Sequence, residues 1–312
     1  MSIITKKCKV DIEIPNVKAF AYKTDNDLPA SHQQVLVNGK RGSGKTVSVI
    51  NLIKKMKYDR IFFVSPTVKS NQTILSMLKI RDEDIFEDTD DINIPDLIKA
   101  EIENEAYEYD DYHRKMERYK LFLKQKKYDN FIDDELLIDF FNPNTDRFEK
   151  PEHWLNGRRP HMCIVYDDCL GSVLFSRGGR KITNMAILHR HLGAVDSEGG
   201  GALGCSIFYL SQSYKTICGG IPKAVRNNCT SLIIFKTKSD KELIELQEEV
   251  GGEISKEEFY EIYNYATMTP YSFLFIDMHP KPHHLSKYRK NFNEFIMIKG
   301  KGDDMDVGEP PL

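Results

Sequence analysis

The most constraining stretch of the sequence is the apolar run Val35-Leu36-Val37-Asn38, followed by Gly39-Lys40-Arg41-Gly42-Ser43-Gly44-Lys45-Thr46 and then Val47-Ser48-Val49-Ile50-Asn51-Leu52-Ile53. A short apolar segment, a glycine-rich turn and an amphipathic segment read as strand, tight loop and helix. The turn carries the spacing GxxxxGK[ST] in the setting that this pattern requires. Its glycines let the backbone curl until consecutive N–H groups point inward, and the helix N-terminus adds the positive end of its dipole. Such a nest holds phosphate, so Gly39, Lys40, Arg41, Gly42, Ser43, Gly44, Lys45 and Thr46 are the candidate nucleotide-binding residues, with ATP as the expected ligand. Lys45 is spaced to reach the β and γ phosphates and the Thr46 hydroxyl to ligate Mg2+.

Further apolar runs at residues 60–65, 162–166, 205–211, 231–236 and 271–276 are mostly continuous, not alternating. Continuous runs mark strands buried on both faces, as in a parallel sheet. Helix-like stretches at 45–56, 181–191, 240–250 and 256–265 fall between them, so an α/β fold with helices flanking the sheet is expected. The 312 residues suffice for one such domain. The expected layout is an N-terminal extension over 1–30, the sheet domain over 31–298 with a charged helical insertion at about 87–151, and an acidic flexible tail over 299–312. The insertion's sparse apolar residues Tyr107, Met116, Tyr119, Leu121 and Leu123 form a face that can rest on the sheet domain.

A net charge of −3 gives no global positive field, so contact with DNA would need a local cationic surface. Cys8, Cys163, Cys169, Cys205, Cys218 and Cys229 contain no CxxC pair and suit reduced thiols in a cytosol-like compartment. No signal peptide or bilayer-length apolar segment stands out, so a soluble intracellular protein without a membrane partner is expected.

Two strand ends complete the chemistry. Met162-Cys163-Ile164-Val165-Tyr166-Asp167-Asp168 is an apolar run ending in two carboxylates. Asp167 suits the water shell of Mg2+, and Asp168 suits polarisation of an attacking water. Ser206-Ile207-Phe208-Tyr209-Leu210-Ser211-Gln212-Ser213 ends in polar groups, and the Gln212 amide can donate to a phosphate and accept from that water at once. An acid-bearing strand distant in sequence from the phosphate-loop strand favours the additional-strand class of P-loop NTPase over simple nucleotide kinases.

Together these motifs, the pair Arg190-His191, the run Ile221-Pro222-Lys223-Ala224-Val225-Arg226-Asn227-Asn228 and the segment Phe63-Val64-Ser65-Pro66-Thr67 resemble the FtsK-HerA superfamily, in particular the genome-packaging ATPases of large double-stranded DNA viruses. The likeness covers roughly residues 33–75 and 160–298. It implies a RecA-like domain in a homo-oligomeric ring, with ATP between neighbours, driving double-stranded DNA into a capsid. A capsid or portal-vertex protein is then a partner, and the virion or a viral assembly site in the host cytoplasm the location. Arg190 is the first candidate for an arginine supplied to a neighbour's site, Arg226 the second, and Arg177 and Arg180 follow. Lys215, Lys223 and residues 218–220 are candidates for DNA contact, as is the cluster Lys281, His283, His284, Lys287, Arg289 and Lys290, whose histidine pair has no third metal ligand spaced nearby. The sequence departs from the family in carrying Asp168 where many relatives have Glu, in a glycine-rich stretch over 192–204, and in the insertion. Two other classes stay open. A small-acceptor phosphotransferase would need a lid and an acceptor pocket, whereas a scaffold would have no need to keep Lys45, Asp167, Asp168 and Gln212.

Overall fold

The computed structural model describes residues 22–128, 132–141, 150–154, 158–214, 220–252 and 254–298. The apolar runs become strands β1 (Gln34–Asn38), β2 (Arg60–Val64), β4 (Met162–Asp167), β5 (Cys205–Ser211), β6 (Ser231–Phe235) and β7 (Phe273–Asp277), each buried along its length. Short strands β3 (Ile85–Phe86), β8 (Tyr288–Lys290) and β9 (Glu294–Phe295) extend the sheet to nine, in the order β3-β2-β4-β5-β1-β6-β7-β8-β9. Strands β3 to β6 in that order pair in parallel, and the pairs from β6 through β9 are antiparallel. The expected α/β fold is thus present, and β5 lies between the phosphate-loop strand and the acid-bearing strand.

Helices cover both faces because alternate residues of each strand point opposite ways. From β1, Val35 and Val37 pack with Val49, Ile50 and Ile53 of α1 (Lys45–Met56) and with Val68 and Leu75 of α2 (Val68–Leu75). Leu36 points into the other core, which takes side chains from α3 (Ile94–Tyr128) and, beyond α4 (Asp134–Phe141), from α5 (Val173–Ser176), α6 (Gly179–Leu188), α7 (Lys223–Asn227), α8 (Asp240–Val250) and α9 (Lys256–Ala266). Ser239 caps α8, and Ser255 with Glu258 forms a capping box on α9.

The charged segment corrects one expectation. Its core face is Ile98, Ile102, Ala106 and Tyr109, all buried, whereas Tyr107, Leu121 and Leu123 are 66%, 47% and 45% exposed. The buried set repeats at helical spacing along the first half of α3 and belongs to the central core. The residues that look most apolar in this part of the sequence lie farther along the helix, where Tyr119 and Phe122 meet Phe140 of α4 at ring distances of 5.3 and 5.6 Å.

An ion cluster locks α3 to the sheet. Arg60, at the start of β2, donates to Asp84 (2.8 Å), Glu101 (2.7 Å) and Glu105 (3.1 Å). Glu105 also accepts from His153 (2.6 Å) and from the Trp154 indole. Burial works to raise the Glu105 pKa, but these donors and the Arg60 charge outweigh it and hold it below its ordinary value. The glycine-rich stretch 192–204 is tied to the same helix. Asp110 accepts from the Asp196 and Ser197 amides (both 2.9 Å), and Tyr109 donates to Glu198 (2.6 Å).

Replacing Arg60 by Met leaves buried Glu105 without its arginine and Asp84 with Arg81 alone, which is expected to cost about 3 kcal/mol. Without the Arg60 charge the Glu105 pKa is less depressed, so the folded variant takes up its proton at higher pH than the wild type does and the deficit should shrink on acidification. Urea unfolding at two pH values checks both the loss and its sign.

Candidate functional site

The C-terminal ends of β1, β4 and β5 meet on one edge of the sheet because these strands are parallel, with Asn38 opposite Ser211 and Asp167 opposite Leu210. Beyond β1 the chain turns through residues 39–46 into α1. Gly39 is obligatory there, since a Cβ would fall 2.6 Å from Ser43 Oγ and 2.9 Å from Phe235. Gly44 caps the helix at φ 99°, a left-handed conformation that a side chain disfavours. No acidic residue stands in the first turn of α1, so its N–H groups face an anion site without competition.

A cavity of about 600 Å³ opens over this loop, and Arg41, Lys45, Thr46, Asp167, Asp168 and Gln212 all line it. Lys45 is 7% exposed and donates to the carbonyls of Gly39 (2.8 Å) and Lys40 (3.3 Å). Burial lowers its pKa while Asp168 and Asp167 oppose that shift. Thr46 donates to Asp167 Oδ2 at 3.3 Å. Asp168 sits at φ 53°, a strained conformation for a residue with a side chain, and it accepts from Gln212 Nε2 at 3.0 Å. Strand β5 therefore brings the amide and the second carboxylate together.

The Thr46 hydroxyl and the Asp167 carboxylate are hard oxygen donors, the chemistry Mg2+ prefers. Asp167 is 2% exposed, and its pKa is raised to about 6, first by burial and then by the charge of Asp168. A carboxylate so short of positive charge fits a cation partner, so these residues suit the metal.

Three contributors carry no motif. Asn71 of α2 lines the cavity and donates to Asp167 (3.5 Å). Buried Glu242 accepts from Asn38 Nδ2 (3.2 Å), the Tyr214 amide (2.7 Å) and Thr237 (2.8 Å), and lies 4.0 Å from Lys40 Nζ. It thereby joins the ends of β1 and β5 to the start of α8. Tyr271, expected within a strand, lies instead in the turn before β7 and lines the cavity.

Arg177, Arg180, Arg190 and Arg226 do not line this cavity. Arg190 is exposed and follows His189, whose ring donates to the His32 carbonyl (3.0 Å) and whose own carbonyl accepts from Cys205 at the N-terminal end of β5. Seven-residue β5 spans roughly 20 Å, so Arg190 stands at the opposite edge of the sheet from its own phosphate loop. Arg226 donates to the Ile221 carbonyl (2.8 Å), lies 3.6 Å from Glu249 and covers the Tyr214 ring. Arg177 and Arg180 are exposed beyond β4, and Lys223 is exposed on α7.

Four residues of the basic cluster near the end of the chain bond to backbone carbonyls of residues 25–27. Lys281 donates to the Asp25 carbonyl (2.7 Å), His283 and His284 to the Asn26 carbonyl (2.9 and 2.8 Å), and fully buried Arg289 to the Asp27 carbonyl. These four residues clamp the segment leading into β1. Lys215 and residues 218–219 lie outside the described residues, as do Cys8 and Cys218. The other four cysteines are buried and free. Among the described residues, no helix is long and apolar enough to cross a membrane.

No family model and no curated protein matches the chain. Among solved structures it is similar to the genome-packaging NTPase B204 of Sulfolobus turreted icosahedral virus 2 in complex with ATP-gammaS, at 12% identity over 79% of this chain and 92% of that one, with TM-score 0.34. It is also similar to the pCW3 conjugation coupling protein TcpA, at 13% identity over 78% of this chain and 57% of that one (TM-score 0.43). A third is EssC (ATPases 2 and 3) of Geobacillus thermodenitrificans, at 11% identity over 86% and 46% (TM-score 0.40). At these identities the likeness concerns the fold.

A raised Asp167 pKa makes protons compete with a cation near pH 6, and the sign is loss of cation affinity on acidification. The Mg2+ concentration for half-maximal nucleotide turnover is expected to be flat above neutrality and to climb by about tenfold per unit at more acidic pH. Asp167→Asn should raise the requirement at every pH and remove the part of the slope that Asp167 causes. Mg2+ titrations of both proteins across that range check this.

Proposed function

We propose that this protein hydrolyses ATP at subunit interfaces of a homo-oligomeric ring and uses the energy to move double-stranded DNA, packaging a viral genome into a capsid. The observation that carries the hydrolase reading is the single cavity in which Lys45, Thr46 and Asp167 stand beside the hydrogen-bonded pair Asp168 and Gln212. The loop N–H groups bind the phosphates, and Lys45 leaves its carbonyl partners to lie against the γ phosphate. Thr46 and Asp167 would hold Mg2+, which would neutralise charge on the phosphate oxygens. Gln212 orients a water, Asp168 takes its proton, and the oxygen attacks the γ phosphorus as the bond to the β,γ-bridging oxygen breaks and ADP departs.

The DNA and ring parts rest on the motif resemblance, and one geometric fact favours a shared site. Arg190 lies at the far edge of the sheet from its own loop, so it can act on a transition state only across an interface. The domain edge carrying Arg190 would then face a neighbour's nucleotide, while a capsid or portal-vertex protein serves as the docking partner.

ATP turnover by wild-type protein, sized for oligomer, should rise on addition of long duplex DNA, and Lys45→Ala should abolish it while leaving the unfolding midpoint unchanged. Near-normal turnover by Lys45→Ala would remove the phosphate-loop reading. Turnover indifferent to DNA but dependent on a small hydroxylated acceptor would instead identify a phosphotransferase.

A further inference from the structure

The phosphate cavity has two ends with different chemistry. In the sheet order β4-β5-β1-β6-β7, Asp167, Asp168 and Gln212 occupy one side of the phosphate loop. The turn before β7 occupies the other side, since Phe273 pairs with Phe235 at the end of β6. Groups for a cation and an attacking water are needed at the terminal phosphate, so the rest of a nucleotide extends towards that turn.

There the cavity is bounded by Tyr271, which is 72% exposed. Its ring lies directly beside the loop, because a Cβ on Gly44 would be 3.5 Å from Tyr271 Cδ1. A second cavity of about 330 Å³ adjoins the first, and the two share Gly42 and Tyr271 as lining residues. Met268, itself exposed, and Thr269 line this second space. The turn is closed by the Ser272 amide and hydroxyl, both donating to the Thr269 carbonyl (3.2 and 2.7 Å). Pro270 stands second and Tyr271 third at φ 63°, where Gly or Asn is the ordinary choice. An aromatic side chain is therefore held in a strained conformation, mostly in water, at the end of a phosphate site. Strain of this kind persists where the surrounding structure imposes it, and it concentrates at ligand clamps.

We infer that Tyr271 is the stacking face of a nucleobase subsite, holding the base of a nucleoside triphosphate against the turn 267–272. The inference rests on the nucleotide-hydrolase reading and assigns that site its base-binding end. Stacking uses the π face that every base possesses, and removal of an aromatic partner typically weakens binding by about tenfold to a hundredfold.

The test is binding of a non-hydrolysable ATP analogue with Mg2+, alongside inorganic tripolyphosphate with Mg2+, which carries the phosphates without a base. Tyr271→Ala and Tyr271→Gly should each weaken the analogue by about tenfold or more and leave tripolyphosphate within about twofold of wild type. Tyr271→Phe should keep wild-type affinity for both. The Gly variant removes the ring while relieving the backbone, so a loss equal to that of Ala assigns the effect to the ring. Unchanged analogue affinity in the Ala and Gly variants would overturn the subsite. Equal losses for the analogue and tripolyphosphate would overturn it too, by showing that the turn supports the phosphate loop and not the base. A wild-type protein that binds neither probe would refute the underlying nucleotide site, a result distinct from both.

Discussion

Strands β4, β5 and β1 lie side by side, parallel and in register, and every principal group of the candidate site hangs from their common edge. Moving β5 elsewhere would leave Lys45 and Asp167 in place but separate Gln212 from Asp168. Burial fixes the register of β5. Ile207 and Phe208 of β5 are fully buried and contribute to opposite cores, so the strand cannot slip by one residue without exchanging its two faces. The site is thus positioned by apolar packing on both faces of a sheet, and its strained residues, Asp168 and Tyr271, sit where the strands give out.

Charge is arranged with similar economy. Asp167 and Asp168 stand together at the end of β4, opposite Lys45, and the burial that raises the Asp167 pKa makes a divalent cation a favourable addition. A second concentration of charge, around Arg60, is complete within the chain and binds α3 to β2. The two differ in what they leave over. Around Arg60 the carboxylates are met by donors from four side chains, whereas at the loop the carboxylates share a lysine already turned to backbone carbonyls.

Much of this was legible in the sequence because it follows from local rules. Continuous apolar runs located β1, β2, β4, β5, β6 and most of β7, and the glycine spacing located the loop. Strands β3, β8 and β9 are only two or three residues long and carry no apolar pattern that could reveal them. Charges between Ile98, Ile102, Ala106 and Tyr109 mask the core stripe of α3, whereas Tyr107, Leu121 and Leu123, apolar in the sequence, are exposed. Glu242 and Asn71 reach the site through tertiary packing, which no spacing rule encodes. The cations around Arg289 looked like a surface because local composition does not say that carbonyls of residues 25–27 will face them.

The central claim is that Asp168 and Gln212 act as one unit on a water beside the γ phosphate. A double-mutant cycle on single-turnover ATP hydrolysis tests this most directly. Asp168→Asn should slow the step by about 10²–10⁴-fold, Gln212→Ala should slow it as well, and the double variant should be no slower than Asp168→Asn alone within about threefold. Independent effects that multiply in the double variant, or an Asp168→Asn protein that hydrolyses ATP at the wild-type rate, would contradict it.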